Sequence, residues 1–173
     1  RPSLIGNVIT CNKASRAGGI CDYAGWMELI NNTIAFNVST GSGGGGYYIL
    51  YAGDVKFTNN IITNNFPAQI EVSDPYTRIG FRNCILEGGS TGILGYTSNI
   101  FLYENVLMDD PKLVAGKNGY GRLLPGSPAV DAGLTDGIIS LLPSFDVVEN
   151  TRITNSIIDI GAYEYVPEPP VLV

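Results

Sequence analysis

Over the first 110 residues, apolar and polar positions alternate in short runs, each run ending at an Asn. Met27/Leu29, Val55/Phe57, Ile79/Phe81 and Ile100/Leu102 each enclose a polar or mixed residue. That period of two is what a half-buried strand produces. Apolar residues at helical spacing are sparse throughout. Five segments align on an Asn, at Asn7, Asn32, Asn60, Asn83 and Asn105. The fourth, Phe81 to Ile85, fits with one residue deleted. Two residues beyond each Asn lies an aliphatic: Ile9, Ile34, Ile62, Ile85 and Leu107. Five residues beyond lies a second turn former: Asn12, Asn37, Asn65, Gly88 and Asp110.

The aligned Asn residues are separated by 25, 28, 23 and 22 positions. Several short strands within such a period describe one coil of a β-solenoid: strand, Asn turn, short strand, second turn. A leucine-rich repeat would need Leu at fixed offsets, which are missing. A sandwich would leave the repeated Asn–aliphatic offset unexplained. The pattern predicts an all-β parallel solenoid of about five coils over residues 1–110. The five aliphatics should form one internal ladder. The five Asn residues should form another, with amides about 4.8 Å apart and hydrogen-bonded along the axis. Asn also tolerates the left-handed backbone that tight turns demand.

From Pro111 to Tyr165, Pro and Gly interrupt the repeat. A solenoid must cover its last open edge, so residues 111–165 are expected to be an irregular C-terminal capping segment, running back along the stack and shielding the last coil. Residues 166–173 read as a Pro-rich extended tail or linker. Arg1 opens the sequence without a signal-peptide pattern, so the chain is expected to be processed or partial.

Composition narrows the function. Apolar residues make up 45% and charged residues 15%, which excludes a disordered chain. A net charge of −6 argues against nucleic acid and anionic membrane surfaces as partners. No apolar run is long enough for membrane insertion. The absence of His removes the usual catalytic triads and most zinc sites. Of three cysteines, Cys11 and Cys21 are close enough in sequence to pair or to stay free, and Cys84 reads as a buried small hydrophobe. The Gly-rich stretches, such as Gly41 to Gly46, lack the Lys and helix of a phosphate loop and read as turns.

Glycoside chemistry on such a fold would need clustered carboxylates. The candidates are Glu71, Asp74, Glu87, Glu104, Asp109 and Asp110. Only Asp109 and Asp110 stack near another acid, Glu87, and capping of turns is the simpler role. Equal offsets place Glu28 beside Lys56, and Arg82 beside Tyr103. Asp131 and Asp159 precede Gly-containing turns and should bind backbone N–H groups, with calcium ligation as the alternative. No catalytic, cofactor-binding or metal-ligating residue is assigned. Tyr47, Tyr48 and Tyr51 follow the Gly run, with Tyr23 and Trp26 one coil earlier. They are candidates for stacking on sugar rings, packing beneath a loop being the alternative. Asn31-Asn32-Thr33 and Asn37-Val38-Ser39 match glycosylation sequons and read as turn residues.

The segment Asn32-Thr33-Ile34-Ala35-Phe36-Asn37, followed by Gly43-Gly44-Gly45-Gly46-Tyr47-Tyr48-Ile49, resembles the paired Phe-x-x-Asn and Gly-Gly-Ala-Ile repeats of bacterial β-helix surface proteins, the polymorphic outer membrane proteins among them. Asp110-Pro111-Lys112-Leu113-Val114, Gly119-Tyr120-Gly121-Arg122-Leu123, Pro125-Gly126-Ser127-Pro128-Ala129-Val130-Asp131-Ala132-Gly133 and Asp159-Ile160-Gly161-Ala162-Tyr163-Glu164-Tyr165 resemble the end of choice-of-anchor Q type β-helix proteins. The resemblance implies a right-handed parallel β-helix and an extracellular or cell-surface location in a bacterium. Two functions are then expected to compete. One is a non-catalytic module serving as stalk, adhesin or filament-building unit. The other is a carbohydrate-active enzyme (polysaccharide lyase or glycoside hydrolase) or a sugar-binding module. The expected partners are upstream coils or another subunit at the N-terminal edge, and a polysaccharide or host surface.

Overall fold

The computed structural model describes residues 1–115, 120–153 and 157–167. The first coil contributes β1 (Ser3–Ile5), β2 (Val8–Thr10), β3 (Lys13–Arg16) and β4 (Ile20–Tyr23). The second contributes β5 (Glu28–Ile30), β6 (Thr33–Ala35), β7 (Val38–Ser42) and β8 (Tyr47–Leu50). The third holds β9 (Asp54–Thr58), β10 (Ile61–Thr63) and β11 (Ile70–Val72). The fourth holds β12 (Arg78–Leu86) and β13 (Ile93–Gly95), and β14 (Ile100–Leu107) opens a fifth.

Every pairing between these strands is parallel, each with its counterpart one coil away. The result is a right-handed parallel β-helix of about four turns. One sheet has the order β1-β5-β9-β12-β10-β6-β2, with β14 also on β12. It is continuous because β12 runs straight through the Asn turn that separates the two strands of earlier coils. A second sheet has the order β13-β11-β8-β4, and β3 pairs with β7.

Inward side chains fill the bore. Leu29, Phe57 and Phe81 stand in one register column, and the rings of Phe57 and Phe81 stack at 4.8 Å and 13°. Ile9, Ile34 and Ile62 form a second column. The expected continuation through Ile85 and Leu107 does not hold. Ile62 stands opposite Leu86, while Ile85 stands opposite Ile61 and Leu107. No residue is deleted in the fourth coil. Asn83-Cys84-Ile85-Leu86 occupies the four positions of Asn59-Asn60-Ile61-Ile62, with Cys84 in the inward Asn place. A one-residue slip turns a strand over. Ile85 and Leu107 therefore face outward with Ile61, into a second core formed with Leu123, Ala129 and Ile160. The same shift pairs Arg82 with Glu104 and Phe81 with Tyr103, in place of Arg82 with Tyr103. Glu28 does stand beside Lys56.

The segment after Pro111 runs back along this outer flank as far as the first coil. There Gly6 adopts φ +66°, and a Cβ on it would come within 2.8 Å of Nη2 of Arg152. The segment covers the flank; four of the eight residues of β14 are exposed and four half-buried, Leu107 packing into the second core with Leu113 and Leu123. Of the expected tail 166–173, residues 168–173 lie outside the described residues.

Candidate functional site

Asn7 donates its backbone N–H and its Nδ2 to Oδ1 of Asn32, at 2.9 and 3.1 Å. Asn32 repeats this onto Oδ1 of Asn60, at 3.0 and 2.9 Å. Each buried amide also donates to a backbone carbonyl of the coil above, Asn32 to Leu4 and Asn60 to Leu29. The ladder then meets Cys84, whose Sγ accepts the Asn60 N–H at 3.4 Å. Burial pushes the Cys84 thiol up to about 12. Asn83 and Asn105, expected as the next rungs, lie one position earlier, in left-handed backbone beside the column of Asn31 and Asn59. A second ladder runs from Asn12 through Asn37 and Asn65 to Gln69 Oε1. Both sequon asparagines, Asn31 and Asn37, are buried.

The outward column anchors the closing segment, a role that sequence reasoning missed. Asn31 Nδ2 donates to the carbonyls of Asp159 and Gly161. Asn59 donates to the Leu134 carbonyl and accepts its N–H. Asn83 donates to the Ala132 carbonyl. The doubled Asn31-Asn32 and Asn59-Asn60 were the available signal: one amide serves the bore, the other the flank.

Of the six candidate acids, Asp74, Glu87, Glu104 and Asp110 are engaged in structure, and Glu71 and Asp109 make no side-chain hydrogen bond or ion pair among the described residues. Glu87 Oε2 accepts from Thr63 Oγ1, Gln69 Nε2 and the Asn64 N–H. Asp74 accepts the N–H groups of Tyr51, Tyr76 and Thr77. Desolvation works against its charge, but those bonds and that from the Thr77 hydroxyl hold its carboxyl below the ordinary range. Glu104 pairs with Arg82 at 2.9 Å, and Asp110 accepts the Lys112 N–H at 2.8 Å. Asp159 accepts the N–H groups of Asp131 and Tyr165.

Within the closing segment Arg152, only 2% exposed, meets Glu164 at 3.3 Å. Burial raises Asp159 and pushes Glu164 up to about 7. Beside them lies a groove of about 640 Å³ lined by Arg122, Leu124, Tyr163 and Tyr165 among others. Among the described residues, no three His, Cys, Asp or Glu gather as a metal ligand set. No helix among them is long and apolar enough to cross a membrane. Cys11 and Cys21 are free, exposed thiols.

The three candidate tyrosines separate. Tyr47 is 0% exposed, donates its hydroxyl to Asp22 at 3.1 Å, and packs edge-on against Phe57. Burial first, then Asp22, holds its hydroxyl far above the ordinary range. Tyr48 lies buried against Gly43, where a Cβ would come within 2.7 Å of its ring. Neither can stack on a sugar. Tyr51, by contrast, is 64% exposed.

Tyr51 belongs to a longer row. The turns that join one coil to the next lie above one another along a single edge. They carry Tyr23 and Trp26, then Tyr51, then Tyr76 (85% exposed), then Tyr96 and, at the start of β14, Phe101. Trp26 rests against Gly53, where a Cβ would come within 2.3 Å of the indole. Arg1 lies over Trp26 at 5.2 Å and Arg78 over Phe101 at 4.7 Å. Asp54 takes both arginines, at 4.0 and 3.6 Å, and Glu28 takes Arg1 at 3.6 Å. Asp74 ties the Tyr51 turn to the Tyr76 turn through backbone N–H groups of both.

A family model described as "right handed beta helix region" matches residues 3–120. No curated protein and no solved structure matches the chain.

Proposed function

Because this chain belongs to the right-handed β-helix family, we propose that it is a non-catalytic module of a bacterial secreted or cell-surface protein, a stiff adhesive element. One observation carries this reading. Four of the six candidate acids are committed to turns and ion pairs, whereas a row of aromatics is exposed along one edge. A stacked solenoid whose two ladders hydrogen-bond from coil to coil is rigid, as a stalk or adhesin requires. The likeness of residues 125–133 and 159–165 to choice-of-anchor Q ends supports the surface location. The rim of the first coil fits a further coil or a second subunit. Among the described residues, Oδ1 of Asn7 and Asn12 accept no hydrogen bond, and each is placed to continue its ladder.

The test is incubation with a panel of polysaccharides, with and without calcium, followed by product analysis. The expected result is no release of oligosaccharide under either condition. Appearance of new reducing ends or unsaturated sugars would replace this reading with that of a lyase or hydrolase.

A further inference from the structure

We propose that the aromatic edge binds a neutral, extended polysaccharide lying parallel to the solenoid axis. This deepens the adhesive reading above and rests on it. Coils rise by about 4.8 Å each, so the turns bearing Tyr23/Trp26, Tyr51, Tyr76 and Tyr96/Phe101 repeat at that step. An extended chain of pyranose rings advances by a similar step per sugar. Each ring turns axial C–H groups to one face, which packs on an aromatic ring, and keeps its equatorial hydroxyls for polar neighbours. The edge supplies both. The aromatics come one or two to a coil, Tyr23 and Tyr51 touching edge-on at 5.8 Å, with Asp54, Ser98 and Asn99 among them. A protein-docking patch would be a contiguous apolar surface instead.

Charge selects the class of sugar. Arg1 and Arg78 are both matched by Asp54 and Glu28, so the edge offers no excess positive field. The chain as a whole carries −6. A uronate polymer would be repelled, whereas a neutral hexan or xylan meets no such barrier. The platform is also fixed before binding. Trp26 packs against Gly53 and Arg1 while staying half-exposed, and Asp74 holds the backbone of Tyr51 and Tyr76. Preorganised rings lose little freedom when a ligand arrives.

Trp26 is the only tryptophan, so its emission reports on the site directly. The chain is titrated with hydroxyethyl cellulose, glucomannan, xylan and polygalacturonate, and run through native gels containing each polymer. Expected is retardation by at least one neutral polymer, with a change in Trp26 emission and none with polygalacturonate. Tyr51→Ala and Tyr76→Ala, both at exposed positions, should each weaken binding by about three- to tenfold, the size of one aromatic contact, with an unchanged melting temperature. Binding by no neutral polymer, binding indifferent to both substitutions, or tighter binding to polygalacturonate overturns the inference. Cleavage that accompanies aromatic-dependent binding would sink the non-catalytic reading and leave this one standing. Absence of both cleavage and glycan binding would do the reverse.

Discussion

Each Asn in the bore carries more than its own weight. Asn60 accepts from Asn32 and donates to the carbonyls of Leu29 and Thr58, the first two at buried sites and the last half-buried. Asn60→Ala leaves those partners unsatisfied, at about 1–3 kcal/mol for each buried polar group stranded. Denaturant unfolding should show a loss at the upper end of that range or beyond it, larger than for Asn7→Ala, where the rung is half-buried.

Glu164 makes a different prediction. Its folded-state value of about 7 lies above the ordinary 4.5, with burial the main cause and the Arg152 pair opposing it. The folded protein therefore holds this proton more tightly than the unfolded chain. Stability from this group should be present at low pH and lost as pH rises through about 7. Asp159, also raised, acts in the same direction. The unfolding midpoint should fall between about pH 5 and pH 8, and Glu164→Gln should flatten that slope whatever it does to absolute stability.

Among the elements, strands and turns were legible because the bore imposes a strict alternation, and a buried face specifies register. Asn7, Asn32 and Asn60 could be aligned for the same reason. The fourth coil could not be placed from sequence because Cys84 fills the rung where an Asn was sought. Asn83, one position earlier, imitated it. Both are small residues in the same turn, and only the facing strand distinguishes the inward from the outward one. The aromatic row is legible only in part: Tyr23, Trp26 and Tyr51 stand out around the Gly run, whereas Tyr76, Tyr96 and Phe101 do not. Its members share no single offset from the Asn, 16 positions for Tyr23 and Tyr76 but 19 for Trp26 and Tyr51, so the repeat does not mark them as one row.

The corrected register can be tested. Leu86→Ala opens a void in the bore and should lower global stability by about 2–5 kcal/mol. Ile85→Asp places a charge between the coils and the closing segment. Hydrogen exchange should then show residues 120–153 and 157–165 losing protection while amides of β5, β9 and β12 keep theirs. Equal loss in both regions would mean that Ile85 belongs to the bore.

At the scale of the whole molecule, stacking is a nearest-neighbour affair and the closing segment is not. Each ladder bond joins one coil to the next, so in principle coils can be gained or lost singly. The closing segment instead spans from Ala132 at Asn83, through Leu134 at Asn59 and Gly161 at Asn31, to Arg152 at Gly6. It touches every complete coil, and so ties flank, bore and aromatic edge into a single length.

That clasp acts as a gauge on evolution. Duplicating one coil between Gly6 and Asn83 would move the glycine about 4.8 Å from the guanidinium it was shaped to admit. Lineages that lengthen this rod must therefore add windings beyond the clasped stretch, and the stretch itself should be inherited at constant size.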